Sequence, residues 1–298
     1  MASFYENTKS RWLSTRACNV YSQCGEDGLL AAILDRIPQR NRWCIEFGAW
    51  GGKFLSNTFH LVESSAYRAV LIEGDAGKYD ALKRHYPFPD RIVPIHAFVG
   101  FSEADGLDTL LARTDCPLDP DVLSIDIDGN DYHAWTATEK YRPKVVIIEY
   151  NPTIPNRIGF VQPADPNVSQ GASAKSLVNL AGDKGYELAA VTKSNLIFVL
   201  RDHFGSLGIE DNSLDVLRDE GDCPSVFVGY DGTIFLRNSD GSEGLTLPWH
   251  GIALEQRRAQ ILPAQLRTFP DNYGPLRRRL YYFLKHHPSV LGLLRHLT

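Results

Sequence analysis

The sequence predicts an α/β protein built on a doubly wound, mostly parallel sheet. Two observations carry this. Five continuous apolar runs recur between Trp43 and Glu149, the pattern of strands buried on both faces rather than on one. Segments with helical spacing lie between them, so successive strands are joined by crossovers, as in βαβ units.

In chain order, strands are expected at residues 43–47, 69–73, 91–95, 122–126 and 145–149, the first running into Gly48. Helices are expected over 27–37, 77–85 and 106–114, and a further one over 173–184 with Ser173 as its N-cap. Residues 186–191 and 195–200 read as two strands across a tight turn, hence an antiparallel pair at one sheet edge. After about residue 205 the character changes. Residues 211–220 are acidic, 225–228 and 230–236 read as a hairpin with a Gly turn, and helices are expected over about 251–266 and 275–297. The expected organisation is an N-terminal segment (1–20), a Rossmann-like domain (21–205) and a hairpin-plus-helices appendage (206–298). No internal repeat or low-complexity segment is visible.

Composition narrows the function. At 298 residues the chain buries enough surface to hold a core without disulfide or metal. The balance of 31 Lys+Arg against 36 Asp+Glu, net −5, excludes nucleic-acid binding through bulk charge. Cys18, Cys24, Cys44, Cys116 and Cys223 are scattered with no C-x-x-C pair, which excludes a disulfide scaffold and a zinc knuckle and suits a reducing compartment. Residues 1–12 carry no apolar signal core, and no apolar run reaches the roughly 18 residues of a membrane span. The expected location is cytoplasmic.

Four of the five runs end on a carboxylate: Glu46, Glu73, Asp126 and Glu149. Open α/β sheets bind ligands at the carboxyl ends of their strands, so these acids point to one crevice. An isolated acid there also fits a solvated edge or a helix cap. The loop Glu46-Phe47-Gly48-Ala49-Trp50-Gly51-Gly52 lets a ligand approach backbone N–H groups. Glu73 is placed to take both hydroxyls of a ribose. Trp50 stands where the dinucleotide fingerprint needs its central glycine, which disfavours NAD.

Several of these segments together resemble one family. They are Tyr21-Ser22-Gln23-Cys24-Gly25-Glu26-Asp27-Gly28, the loop after the first strand, and Leu55-Ser56-Asn57-Thr58. Ser124-Ile125-Asp126-Ile127-Asp128-Gly129-Asn130-Asp131-Tyr132, Gly171-Ala172-Ser173 and Lys184-Gly185-Tyr186 complete the set. Over roughly residues 20–202 the chain resembles the FkbM-type branch of class I S-adenosylmethionine-dependent methyltransferases. The resemblance implies a seven-stranded sheet in the order 3-2-1-4-5-7-6 with strand 7 antiparallel. It also implies S-adenosylmethionine as cofactor and methyl transfer to a hydroxyl of a glycan, glycolipid or natural product. Glu46 and Gly48 would then hold the methionine end, with Gln23, Ala49 and Asn57 in the same binding set. Glu73 would bind the ribose with Asp75 nearby, Phe98 would lie near the adenine, and Asp126 would line the pocket. Trp50 departs from the glycine-rich loop of the wider superfamily.

The densest cluster is Asp126-Ile127-Asp128-Gly129-Asn130-Asp131-Tyr132-His133, with Glu149 and Asn151 ending the adjacent strand. Hard oxygen ligands suit Mg²⁺ or another divalent cation, and metal-dependent class I O-methyltransferases look similar here. The candidate metal ligands are Asp126, Asp128, Glu149 and Asn151. A divalent ion would stabilise a deprotonated hydroxyl and orient it. Equally open is a metal-free reading in which Asp126 lines the cofactor pocket while Asp128 and Asp131 cap a helix. His133 is the candidate general base and Asp126 the second catalytic candidate. Residues 151–171, aperiodic and rich in Pro, Asn and Gln, read as a lid that contacts substrate.

Two other function classes stay in view. Asp126-x-Asp128-Gly129 after an apolar strand also fits the nucleophile motif of haloacid-dehalogenase-like phosphatases, although it falls on the fourth strand instead of the first. A methyltransferase-like fold can also serve as a non-catalytic binding subunit. An EF-hand loop is excluded, since its glycine belongs at position six and Gly129 falls at position four. At the C-terminal end, Arg277, Arg278, Arg279, Lys285 and Arg295 lie beside Leu280, Phe283, Leu284, Leu291 and Leu294, with no acid after Asp271. Such a helix suits either peripheral contact with an anionic membrane or packing on the protein with a solvated basic face.

Overall fold

Alternate residues of the apolar strands enter two different cores, which places the main sheet between two helical layers. The structure, a computed structural model, describes residues 9–38, 40–247, 249–254, 259–260 and 262–290. It forms two compact units, one ending at Asp219 and the other beginning at Glu220.

In the first unit the strands are β1 (Trp43–Phe47), β2 (Arg68–Glu73), β3 (Ile92–His96), β4 (Val122–Ile125), β5 (Val145–Glu149), β6 (Tyr186–Val191) and β7 (Asn195–Leu200). They make one sheet in the order β3-β2-β1-β4-β5-β7-β6. Strands β1 to β5 pair in parallel, and β7 runs antiparallel to both β5 and β6. The helices are α1 (Glu26–Leu34), α2 (Phe59–Ser65), α3 (Ala76–His85), α4 (Leu107–Leu111), α5 (Asp131–Ala137) and α6 (Ala174–Lys184). Ile45, Phe47, Val70, Ile72, Leu123 and Val146 pack with α4, α5 and α6 through Leu110, Trp135 and Leu177. Cys44, Leu71, Val122 and Ile147 pack on the other face with α1, α2 and α3 through Leu30, Val62 and Leu82. A strand buried on both faces has no polar side to show, which is why these runs are continuous rather than alternating. Ser173 caps α6 as expected, its hydroxyl accepting from the Ser176 N–H at 3.2 Å.

The division falls after Asp219, so residues 206–219 belong with the sheet and not with the appendage to which their composition assigned them. Long-range contacts decide this. Trp12 Nε1 and the Arg36 guanidinium both donate to the Leu207 carbonyl, at 3.0 and 2.9 Å, and Leu214 is buried in the core beneath α6. The N-terminal segment is likewise part of the unit, with Leu13 buried against α1.

In the second unit β8 (Ser225–Val228), β9 (Thr233–Arg237) and β12 (Ala259–Gln260) form an antiparallel sheet in the order β12-β9-β8, and β10 (Leu245–Thr246) pairs with β11 (Ala253–Leu254). Among the described residues of 251–266 the expected helix does not form. Its residues pair instead with distant strands, Leu254 with Leu245 and Ala259 with Ile234, and Gly251 and Pro263 punctuate the stretch. The last helix, α7 (Pro275–His286), stops short of the expected end. Pro288 lacks the N–H that would continue it and its ring clashes with the preceding turn. Leu291, Leu294 and Arg295 lie outside the described residues. No helix among the described residues is long and apolar enough to cross a membrane.

Candidate active site

Register alone brings the strand-end acids together. Glu46 pairs with Leu71 of β2 and Ser124 of β4, and Ser124 in turn with Ile147 of β5. Glu73, Asp126 and Glu149 therefore stand two residues nearer the carboxyl edge than Glu46. All four continue the alternation of Cys44, Leu71, Val122 and Ile147, the face covered by α1 to α3. They share one side of the sheet and one end of it.

Glu46 lies deepest and its carboxylate organises the chain itself. It accepts from the Asn57 N–H at 2.8 Å and from the Ser56 and Thr58 hydroxyls, each at 2.6 Å. Burial pushes its pKa up while these three donors pull it down. The Asn57 amide is spent in the same way, on the Ser124 hydroxyl at 3.0 Å. Gly48 continues β1 at the rung of Glu73 and Asp126, with φ +76, and a Cβ there would fall 1.6 Å from the Asp126 carbonyl oxygen. The close approach that requires glycine is thus made by the neighbouring strand.

Glu73 ties two loops together, accepting from the Trp50 N–H at 2.8 Å and the Asp75 N–H at 2.7 Å. Asp75 is the N-cap of α3, accepting from the Lys78 N–H at 2.8 Å. Trp50, at φ +48, lies half out of the protein beneath the Lys78 ammonium, 3.9 Å from its ring. Ala49 is buried, its N–H bonded to the Ile72 carbonyl. Phe98 leaves 79% of its surface exposed and lies against Gly74, so it offers a flat apolar shelf beside Glu73. Gln23 is exposed, and its carbonyl accepts from the Asn19 amide.

Asp126, Asp128 and Glu149 converge, each with a carboxylate oxygen within 4.8 Å of the others. Asn151, the fourth expected ligand, points elsewhere, and so does Asp131 of the same cluster. Asp131 is buried and accepts from the Ile127 and Gly129 N–H groups, both at 2.9 Å, folding the loop that holds Asp128 at φ +56. Asn151 spends its amide on the Gln170 carbonyl at 2.9 Å and its oxygen on the Thr153 hydroxyl at 2.6 Å. The donor set is three carboxylates, chemistry that fits a hard divalent cation.

The electrostatics of this end of the sheet have one sign. Desolvation and then Asp131, Asp128, Glu46 and Glu26 push Asp126 up to about 7. Asp126 is exposed to solvent at its surface even though protein lies close around its carboxyl. Desolvation, then Asp126, Asp131 and Asp128, push Glu149 up to about 9. Every named charge acting on the pair is an acid, so the crevice favours cations and disfavours a phosphate.

His133 spends one ring nitrogen on the chain and leaves Nδ1 as the nitrogen that can take up a proton. Its Nε2 lies 2.8 Å from the Gln162 carbonyl, and because a carbonyl only accepts, Nε2 must carry a proton and donate. The imidazole fastens the lid. Gln162, buried, holds the rest of it, accepting at Oε1 from the Gln170 and Gly171 N–H groups at 2.8 Å each. Arg218, also buried, clamps the start of the lid by donating to the Pro152 and Ile154 carbonyls and to Asn156 Oδ1.

Gln162 and Arg218 escaped sequence reading. Nothing marks Gln162 within a polar loop, whereas Arg218 is a lone cation in an acidic stretch, a signal that was there to be read. Arg218→Ala is expected to destabilise the first unit by about 3 kcal/mol. Thermal melting measures the loss.

The segment before α1 spans the same edge. Tyr21 meets the Phe59 ring at 4.6 Å, while Glu26 accepts from Thr192 and Asn195 in the β6–β7 turn at 2.7 and 3.0 Å. Asp27 accepts from the Val20, Tyr21 and Ser22 N–H groups through Oδ2, and its buried Oδ1 has no hydrogen-bond partner. Asn195 Oδ1 is buried and unpartnered as well.

No protein-family model matches the chain, and no curated protein matches it. Among solved structures it is similar to an O-methyltransferase from Bacillus cereus in complex with SAH, at 17% identity over 67% of this chain and 91% of that one, TM-score 0.41. It is also similar to the citrinin polyketide synthase CMeT domain, at 10% identity over 67% of this chain and 56% of that one, TM-score 0.42. A third is the precorrin-6y C5,15-methyltransferase from Geobacter metallireducens GS-15, at 15% identity over 62% and 93%, TM-score 0.38. Likenesses this distant carry no argument about function. The strand order β3-β2-β1-β4-β5-β7-β6 with β7 antiparallel stands by itself, and it is the Rossmann-like class I methyltransferase fold.

Proposed function

We propose that this chain is an S-adenosylmethionine-dependent O-methyltransferase, assisted by a divalent cation, that acts on a hydroxyl of a glycan, glycolipid or natural product. The observation that carries the reading is the convergence of Asp126, Asp128 and Glu149, with only acids named among the charges acting on Asp126 and Glu149, at the carboxyl edge of a sheet with this strand order. S-adenosylmethionine supplies an electrophilic methyl group on a sulfonium cation, a charge that such a cluster favours. Glu73 and the shelf of Phe98 are placed for its nucleoside. The unpartnered oxygens of Asp27 and Asn195 are acceptors suited to its ammonium. A divalent cation held by Asp126, Asp128 and Glu149 would supply the charge that stabilises an alkoxide.

The remaining chemistry falls to the chain's own groups. With Asp126 holding the cation as a carboxylate, His133 is the general base at Nδ1, its Nε2 already donating to the Gln162 carbonyl. His133, Gln162 and Arg218 hold the lid over the acceptor. The choice of a hydroxyl acceptor, and of glycans and natural products among them, follows the FkbM-type motifs.

Isothermal titration with S-adenosylhomocysteine tests the reading. Binding is expected, and Glu73→Ala should abolish it while the far-ultraviolet circular dichroism stays unchanged. Absence of binding to the wild type would defeat the proposal. Turnover should fall on EDTA treatment and return with Mg²⁺; turnover indifferent to EDTA removes the cation. Release of phosphate from an aryl phosphate, lost in Asp126→Asn, would instead establish the phosphatase.

A further inference from the structure

The helix α7 (Pro275–His286) carries one apolar stripe too many for its own packing. Leu284 is buried against Leu266 and Tyr273, with Leu280 and Tyr281 beside it, and these three residues seat the helix on the second unit. Had the basic face alone been left to solvent, that would complete the account. Instead Leu276 is 79% exposed, and Tyr282 and Phe283 are 52% and 51% exposed. Leu276 and Phe283 are seven residues apart, so they lie on one face two turns apart, with Arg279 between them. The His287 ring extends the patch, 4.9 Å from the Phe283 ring.

Cations share the exposed surface of the helix, with Arg279 beside Leu276 and Phe283, Arg277 about a quarter turn away, and Arg278 and Lys285 on the far side. Arg277, Arg278, Arg279 and Lys285 are all exposed, and the sequence holds no acid after Asp271, although the chain as a whole is net −5. Positive charge is segregated onto this helix against the sign of the molecule, so its partner is anionic. A polyanion such as RNA would match the charge but leave Leu276 and Phe283 in water. An interface that takes apolar side chains and cations together is the headgroup region of an anionic bilayer. There apolar side chains insert below the phosphates, and long Lys and Arg stems reach back to them.

We propose that α7 docks the protein on anionic membrane surfaces, with Leu276 and Phe283 inserted, Arg277 and Arg279 on lipid phosphates, and Arg278 and Lys285 adding to the positive field of the helix. This goes beyond the catalytic proposal and stands or falls separately from it. It also accounts for the exposed apolar residues that helix packing leaves over.

The test is co-sedimentation of the full-length protein with vesicles of phosphatidylcholine alone and of phosphatidylcholine with roughly one third phosphatidylserine. Binding is expected to the second only and to weaken as salt rises. Arg277→Glu with Arg278→Glu should reduce it at least about tenfold, and Leu276→Ser with Phe283→Ser should reduce it comparably. Circular dichroism and methyl transfer to a soluble acceptor should be unaltered in both. Equal binding to neutral vesicles, or binding indifferent to the Leu276 and Phe283 changes, overturns the proposal. So does absence of vesicle binding with tight binding to a single-stranded RNA, or a dimer in sedimentation velocity that Phe283→Ser dissociates.

Discussion

Glu149→Gln is expected to make the protein more stable and less active at once. Asp126 and Glu149 both have pKa values raised on folding, from 3.8 to about 7 and from 4.5 to about 9. The folded chain thus holds protons that the unfolded chain releases. The stability linked to these groups is fully present below the ordinary carboxylate range. It is lost as pH rises towards 7 for Asp126 and towards 9 for Glu149, and is level beyond that. Glutamine reproduces the neutral form at every pH. At pH 8 to 9 the variant should exceed wild type by on the order of 2 kcal/mol, discounted for screening at the crevice mouth, or about 5 °C in Tm.

Turnover should fall at least about 100-fold in the same variant, because the cluster loses a ligand and its poised charge. Mg²⁺ should raise the wild-type Tm at pH 8 and leave the variant unmoved, since a cation bound only to the folded state stabilises it. Melting curves across pH, with and without Mg²⁺, measure all of this. A variant less stable than wild type at pH 9 would show that the acids do not repel one another in the folded protein.

Gly48→Ala is expected to be the most damaging single substitution in the sheet. Its methyl would fall 1.6 Å from the Asp126 carbonyl, at a φ of +76 that side chains resist. Neither β1 nor β4 can yield, because each is hydrogen-bonded on both sides. A loss of at least about 4 kcal/mol, or no soluble protein, should result. Gly51 is the control, since a Cβ there meets nothing within 4 Å. Gly51→Ala should leave the unfolding free energy within about 0.5 kcal/mol of wild type. If the loop lies against the cofactor, it should nonetheless weaken S-adenosylhomocysteine binding measured by titration. A stable Gly48→Ala protein would mean that the two strands approach less closely than they do here.

The strand-end acids were readable because a parallel strand is a local pattern. The runs of Ile45, Val70, Leu123 and Val146 need only burial on both faces, and each acid marks where the apolar run ends. The appendage was harder to read. Residues 251–266 carry helical spacing, but the pairing of Ala259 with Ile234 belongs to another part of the chain, and no local pattern announces it. Boundaries set by distant contacts, such as residues 206–219 joining the sheet, escape for the same reason.

Within the site the division is similar. Residue types and strand position alone determined that acids gather at one edge, with Glu73 ending β2 and Asp126 ending β4. Only the tertiary structure decided which of them face one another. It turned Asp131 inward onto two N–H groups, drew Asn151 into the lid, committed the His133 Nε2 to Gln162, and left Asp126, Asp128 and Glu149 converging. Side-chain direction at a loop is set by which backbone donors lie within reach, and those donors come from segments far apart in the sequence.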